Sequence, residues 1–347
     1  MSARRHLSAA TAARPSADGR VLVVGGGLAG IAAALDCAAG GADVTLLESR
    51  GRLGGAAYSF HRDGLVVDNG QHVFLRCCTA YRSLLGRIDA DELVTLQRRL
   101  EIPVLVPGGR TAWLRRSALP APLHLAGALV RYRPVPLRRR AAVARALRAL
   151  GRVDAADPAA DGRSFGDWLE EHGQGAAAVD AVWRLIGRPT LNLEPADASL
   201  AQAAQVFQVG LLEDAAAADV GYARVPLGAI HDDAARAALA RAGVDVRLRR
   251  GVTAIAPREH GFRVEVHAQP AMDADAVVLA VPPDRAARLL PSAAGVDGAR
   301  LTALGSSPVV DLHAVFDRPV LDHPFAAAVG SPVQWVFDRS AAAGLSG

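Results

Sequence analysis

The stretch that decides the fold is Val21–Gly55, VLVVGGGLAGIAAALDCAAGGADVTLLESRGRLGG. Arg20–Val24 is a short apolar run suited to a strand buried on both faces. Gly25-Gly26-Gly27-Leu28-Ala29-Gly30 follows at once and fits G-x-G-x-x-G through Gly25, Gly27 and Gly30. Gly25 permits the tight turn, Gly27 lets the backbone approach a pyrophosphate, and Gly30 lets the next helix pack closely on the strand. That helix is expected over residues 28–39, its N-terminal N–H groups aimed at phosphate, and Gly40-Gly41 ends it. Asp43–Glu48 reads as a second strand. It finishes in an acid eighteen residues after Gly30, where a carboxylate can take ribose hydroxyls. Glycine turns are common in a chain with 34 glycines. This one sits between strand and helix with the acid at the expected distance, and so predicts a dinucleotide site.

The next residues select the dinucleotide. Glu48–Gly55 carries E-x-x-x-R-x-G-G, which resembles the extended fingerprint of the FAD-binding amine oxidase and phytoene desaturase superfamily. The resemblance implies FAD, with Gly25, Gly27, Gly30, Glu48, Arg52, Gly54 and Gly55 along it. The superfamily often has Arg after the glycine pair; this chain has Ala56.

With 347 residues the chain can hold two domains and a large core. Hydrophobic residues are 51% and charged residues 21%, a globular balance. All 39 basic residues are Arg, yet the net charge is only +4 and no nucleic-acid motif accompanies it, so no nucleic-acid partner is expected. Cys37, Cys77 and Cys78 have neither bridge nor zinc spacing and fit a reduced, cytoplasmic protein. Residues 1–19 lack the apolar segment of a signal peptide and read as a disordered tail. No apolar run reaches the ~20 residues of a spanning helix.

Asp63-Gly64 between two apolar runs signals a hairpin. It leads to Asp68–Tyr81, DNGQHVFLRCCTAY, which looks like the corresponding stretch of hydroxysqualene dehydroxylases, the squalene-associated FAD-dependent desaturases of bacterial hopanoid pathways. In the superfamily this loop passes close to the isoalloxazine. His72 is therefore the candidate catalytic acid; a half-buried structural histidine is the other reading. Ile102–Val153 holds eleven Arg and no acid. It opens with a second hairpin signal at IPVLVPGG, and its last part reads as a helix over 137–152 with Arg138, Arg145, Arg148 and Arg152 on one face. Such a face suits an anionic membrane surface or ordinary solvent. Ser164 is a candidate N-cap with Asp167 at N3. Val182–Glu194 again resembles the dehydroxylases, in the part that builds the substrate domain.

Residues 229–242, capped by Gly243, read as a helix, and strands are expected at 244–248, 251–255, 262–267 and 276–281. The resemblance makes this the second cofactor segment, with a backbone group at Val252 meeting the adenine edge. His231-Asp232-Asp233 would fan over about 200° of a helix, so no metal site is expected. Val309–Phe316 alternates and reads as a strand, as does Pro332–Phe337, which also looks like the dehydroxylase family. The family continues into a C-terminal Gly-Asp segment that this chain is expected to lack.

The expected fold is α/β: a discontinuous Rossmann-like FAD-binding domain (20–76 and 215–283) with an inserted α+β substrate domain (77–214 and 284–347). The resemblance implies an FAD-dependent reduction of hydroxysqualene, a C30 isoprenoid, to squalene and water. It also implies an unspecified electron donor and peripheral attachment at the inner face of the membrane. A phytoene-type desaturase, or a non-catalytic lipid-binding protein, are the alternatives.

Overall fold

The computed structural model describes residues 19–345. The expected tail, apart from Gly19, lies outside the described residues. The chain forms two compact units: one runs to Tyr58 and adds Arg87–Asp89 and Leu227–Gly305, the other comprises Ser59–Gly86, Ala90–Pro226 and the chain from Ser306.

The first unit is built on a parallel sheet. β1 (Arg20–Val24) is central, flanked by β2 (Asp43–Glu48) and by Ala276–Leu279, with Asp245–Leu248 outside β2. Val21–Val24 are all buried, the condition that a strand covered on both faces imposes on its sequence. Helix α1 (Leu28–Ala39) turns Gly30, Ile31, Ala34 and Leu35 inward, the i, i+3, i+4 stripe of a core-facing helix. A second, antiparallel sheet of Val252–Pro257, Phe262–Val266 and Met272–Ala274 shares an apolar core with the first through Leu22, Val24, Leu47, Val264 and Leu289.

The second unit is α+β. Glu101–Val106 and Arg110–Arg115 form the expected hairpin, extended by Phe325–Ala328 and Trp335–Phe337. Val73–Leu75, Val220–Ala223 and Val94–Leu96 make a smaller sheet. The hairpin at Ser59–Arg62 and Leu65–Asp68 turns on Asp63 (φ 49°) and Gly64 (φ 80°), the left-handed pair that a two-residue turn requires. The helices enclose Phe165, Trp168, Trp183 and Phe207, whose rings meet at centroid distances of 5.2 to 6.5 Å. The Leu137–Leu150 helix buries Val143, Ala146 and Leu150 and leaves Arg138, Arg145 and Arg148 exposed. Ser164 caps its helix by accepting the Asp167 N–H at 3.3 Å.

The compact units divide at 58/59, 226/227 and 305/306, with Arg87–Asp89 returning briefly to the first, where the sequence reading divides at 76/77, 214/215 and 283/284. Two pairings account for the difference. Val220–Ala223 bonds to strands of the second unit, while Pro283–Leu289 packs on Gly298–Ala303 and on the Val252–Pro257 strand. One expected element is absent: Val309–Phe316 forms no strand. Its alternation is real, but among the described residues it pairs with no strand, and its apolar side chains stand exposed.

Candidate functional site

The glycine turn is held by contacts that only glycine allows at two of its three key positions. Gly25 has φ 108°, and a Cβ there would stand 2.3 Å from the Ala280 carbonyl oxygen. A Cβ on Gly30 would stand 1.8 Å from the Gly25 carbonyl oxygen. Both glycines serve the packing of turn, helix and strand. Gly27 differs. It is the N-cap of α1 with φ −75° and ψ 179°, a conformation open to any residue, and a Cβ there meets only Gly55 Cα at 3.7 Å. Neither backbone strain nor the protein's own packing demands glycine at this position. What remains is space kept for a ligand.

The helix end supports that reading. No side chain caps α1, and its first turn carries no acid. Orphan N–H groups and the positive end of the helix dipole therefore face an uncapped approach, a setting that accepts phosphate.

Glu48 ends β2 beside the turn and is buried. Its Oε2 accepts the Gly26 N–H at 2.7 Å; its Oε1 accepts the Arg50 N–H at 2.7 Å and the Ser49 hydroxyl at 3.1 Å. Three donors fix the carboxylate, which has further acceptor capacity for hydroxyls. The Arg249 and Arg250 N–H groups bond to the Arg50 and Glu48 carbonyls, so the strand beginning at Val252 starts next to the acid. Val252 is buried, and its carbonyl accepts Arg285 Nη2 at 2.8 Å.

The second glycine pair forms a loop of its own. Gly54 (φ 90°) and Gly55 (φ 58°) are left-handed, and the Gly54 N–H bonds to the Gly26 carbonyl at 2.9 Å, tying this loop to the first. Arg52 donates Nη1 to the Leu53 and Gly55 carbonyls at 3.2 and 3.1 Å, and its guanidinium lies 3.4 Å from the centroid of the Tyr58 ring. Partial burial, with Arg50 nearby, lowers its pKa from the ordinary arginine value.

Sequence reasoning missed what His231 and Asp232 do. Asp232 Oδ1 accepts the Leu53 N–H at 3.0 Å, the His231 ring Nδ1 lies 3.2 Å from the Ala57 carbonyl oxygen, and Arg236 Nη2 reaches the Gly51 carbonyl at 3.3 Å. Residues 229–241, a π-turn continued by an α-helix, thus clamp the Arg52–Gly55 loop. A contact across 179 positions leaves no local signal in the sequence of residues 229–241. Among the described residues no cluster of His, Cys, Asp and Glu could hold a metal ion.

His72 belongs to the second unit, on the loop between the Ser59–Asp68 hairpin and Val73–Leu75, with its side chain exposed. Partial enclosure lowers its pKa from the ordinary histidine value; Asp311 and Asp68 oppose that shift. Asp68 is anchored: Oδ1 accepts the Ser59 hydroxyl at 2.6 Å, and Oδ2 accepts Arg339 Nη2 at 2.8 Å. Arg339 also donates to the Ala223 and Val225 carbonyls at 2.6 and 2.9 Å. Asp311 is set so close to Gly70 that a Cβ there would stand 2.7 Å from its carboxylate.

Behind this loop lies a buried ion cluster. Asp219 is fully buried and accepts Arg116 through Nε at 2.7 Å and Nη2 at 2.9 Å, and Arg76 Nε at 3.0 Å. Burial opposes its ionisation, but the bonds from Arg116 and Arg76 outweigh that and hold its pKa below the usual carboxylate value.

Comparison with known proteins fits this geometry. Residues 28–345 match the family model described as flavin containing amine oxidoreductase. Hydroxysqualene dehydroxylase of Sinorhizobium fredii is 26% identical over 346 residues, covering 91% of this chain and 73% of that protein. Zeta-carotene desaturase of Zea mays is 31% identical over 174 residues, covering 47% of this chain but only 30% of the maize protein. Among solved structures, an oxidoreductase from Methanosarcina mazei superposes with TM-score 0.60 at 16% identity, over 82% of this chain and 64% of that one, a likeness of fold. The uncapped helix end, the open space at Gly27 and the anchored Glu48 fit FAD as cofactor, and the chain belongs to the flavin containing amine oxidoreductase family.

Proposed function

We propose that this chain is an FAD-dependent hydroxysqualene dehydroxylase, reducing hydroxysqualene to squalene with loss of water. The observation that carries the reading is the reach of the likeness. The dehydroxylase alignment spans 91% of the chain, including the Asp68–His72 loop, whereas the zeta-carotene desaturase alignment spans 47%.

When bound and reduced, FAD would supply hydride chemistry to the substrate carbon. The carbon–oxygen bond breaks, a carbon–hydrogen bond forms, and the departing hydroxyl takes a proton and leaves as water. The residues of the chain have three tasks in this. The α1 N-terminus would hold the pyrophosphate over the open space at Gly27, with Gly25 and Gly30 shaping the turn that brings them together. Glu48 would take the ribose hydroxyls, Arg52, Gly54 and Gly55 would shape the second phosphate loop, and the Val252 backbone would meet the adenine edge. His72 delivers the proton to the hydroxyl, a general-acid role suited to imidazole. Its lowered pKa keeps most of it neutral at pH 7, so turnover should rise as pH falls toward and below 6.5. The hydrocarbon substrate arrives from lipid, with the Arg-rich residues 102–153 facing the cytoplasmic membrane surface.

The test is product analysis with His72→Gln as the comparison. Reduced enzyme given hydroxysqualene in detergent should release squalene, and H72Q should retain flavin but slow turnover on the order of 100-fold, with the acid-side rise removed. Unchanged turnover in H72Q removes His72 from the mechanism; no squalene from the reduced parent enzyme refutes the reading. An oxidative carotenoid-type desaturase is the second reading, favoured by the 31% identity to zeta-carotene desaturase. It would consume oxidised flavin instead.

A further inference from the structure

Residues 117–140 of the second unit combine two properties that seldom meet on a solvent-facing layer. One is exposed apolar bulk. Leu119 is 52% exposed, Leu123 57%, Val130 65% and Leu137 74%. The other is charge of one sign. Arg131, Arg133, Arg138 and Arg139 stand exposed among them, and no Asp or Glu occurs between Ile102 and Val153.

The layer is ordered from beneath. His124, Tyr132 and Val135 are fully buried, and Leu125 and Leu129 pack against the core. The Ser117 N–H bonds to the His124 carbonyl at 2.8 Å and the His124 N–H to the Pro120 carbonyl at 3.1 Å, closing the loop that presents Leu119 and Leu123. The Arg140 guanidinium joins the Val130 and Val135 carbonyls, which fixes the Ala126–Arg131 helix to the start of the next one. Inward positions are therefore filled, and the four apolar side chains project outward from a fixed frame.

Apolar projections flanked by arginine match a bilayer interface, where hydrocarbon takes the apolar tips and lipid phosphate the guanidinium groups. The other exposed apolar run, Val309–Phe316, lacks this match. It contains Asp311, is followed by Asp317, and carries no arginine.

We infer that Leu119, Leu123, Val130 and Leu137, with Arg131, Arg133, Arg138 and Arg139, form a docking surface for an anionic phospholipid bilayer. This rests on the reading that the substrate is drawn from lipid, and it names the residues that make the contact. The surface acts by partial insertion and charge neutralisation.

Flotation of the full chain with vesicles tests it. Vesicles of phosphatidylcholine with about one-third phosphatidylglycerol should bind the protein, with binding weakened by salt, and pure phosphatidylcholine vesicles should bind it poorly. The variant R131Q/R133Q/R138Q/R139Q should bind anionic vesicles on the order of 100-fold more weakly. L123D/V130D should lose about 10-fold or more with all arginines in place. V310D/L312D, in the other exposed run, should bind as the parent does. All these positions are exposed, and near-unchanged thermal unfolding of each variant excludes a folding defect. Equal binding to both vesicle types, retention of binding in L123D/V130D, or its loss in V310D/L312D overturns the assignment. Turnover on detergent-dispersed hydroxysqualene separates the two claims. L123D/V130D should match the parent there, and a parent that binds vesicles yet forms no squalene would refute the proposed activity alone.

Discussion

Replacing Gly27 by Ala should separate cofactor binding from folding, and Gly30→Ala should do the reverse. At Gly27 the backbone is extended and an added methyl finds its nearest neighbour at 3.7 Å, ordinary van der Waals contact. Alanine is a poorer N-cap than glycine by up to about 1 kcal/mol, but it restricts the unfolded chain by a similar amount, so stability should hold within about 0.5 kcal/mol. The methyl occupies the space through which a pyrophosphate would approach the helix end. A loss of about 1.4 to 2.8 kcal/mol there corresponds to a 10- to 100-fold weaker FAD affinity. At Gly30 the methyl would stand 1.8 Å from a backbone carbonyl oxygen, which cannot swing aside as a side chain can. The helical gain of about 1 kcal/mol from alanine is outweighed by overpacking of about 3 kcal/mol, for a net loss of about 2. In a domain of this size that lowers the melting temperature by about 4 to 8 °C. Circular-dichroism melts of the flavin-free proteins and FAD titration by fluorescence give both quantities. Normal FAD affinity in Gly27→Ala, or an equal loss of stability in both variants, would show that Gly27 keeps no space for a ligand.

Three further outcomes follow from buried groups. His124 is fully buried, and neither ring nitrogen has a hydrogen-bond partner among the described residues. Burial, with Arg116 adding to it, lowers its pKa against the pull of Asp214 and Asp219. The unfolded chain then binds the extra proton, so stability is fully present above the unfolded value of about 6.5 and is lost as pH falls below it. Urea unfolding of His124→Phe should show about 1 kcal/mol less acid-side loss between pH 7 and 5 than the parent; parallel curves would contradict this. Asp219→Asn leaves Arg76 and Arg116 without their counter-ion and should cost about 3 kcal/mol in the same measurement, while a cost under 1 would deny the cluster a structural role. Arg339→Ala removes the donor that Asp68 Oδ2 and two carbonyls share, and should cost about 2 kcal/mol and raise amide exchange at residues 68–72. Unchanged exchange would show that Arg339 does not fix the loop.

The glycine turn, α1, β2 and Glu48 were legible because their causes are local. A left-handed glycine, a stop at Gly40 and an acid at a strand end each act within a few residues. Both hairpins were legible for the same reason, since Asp63-Gly64 and Gly108-Gly109 supply their own turns. Sheet membership was not. Phe325–Ala328 is alanine-rich with little intrinsic strand preference, yet it pairs with Glu101–Val106 and with Trp335–Phe337. Val309–Phe316 has the stronger pattern and pairs with no strand among the described residues. Pairing across more than two hundred positions, with Glu101–Val106, decides the first case. In the site, Glu48 and the glycines announce themselves by spacing. The hold of Asp232 on Leu53 and of Arg339 on Asp68 depends on elements that meet only after folding.

The most direct measurement is an anaerobic titration of the fully reduced flavoprotein with hydroxysqualene, following flavin absorbance and squalene together. One flavin should be reoxidised for each squalene formed, with no oxygen present. Flavin that stays reduced while hydroxysqualene is unchanged, or activity that begins only from oxidised flavin and yields a new double bond, would contradict it.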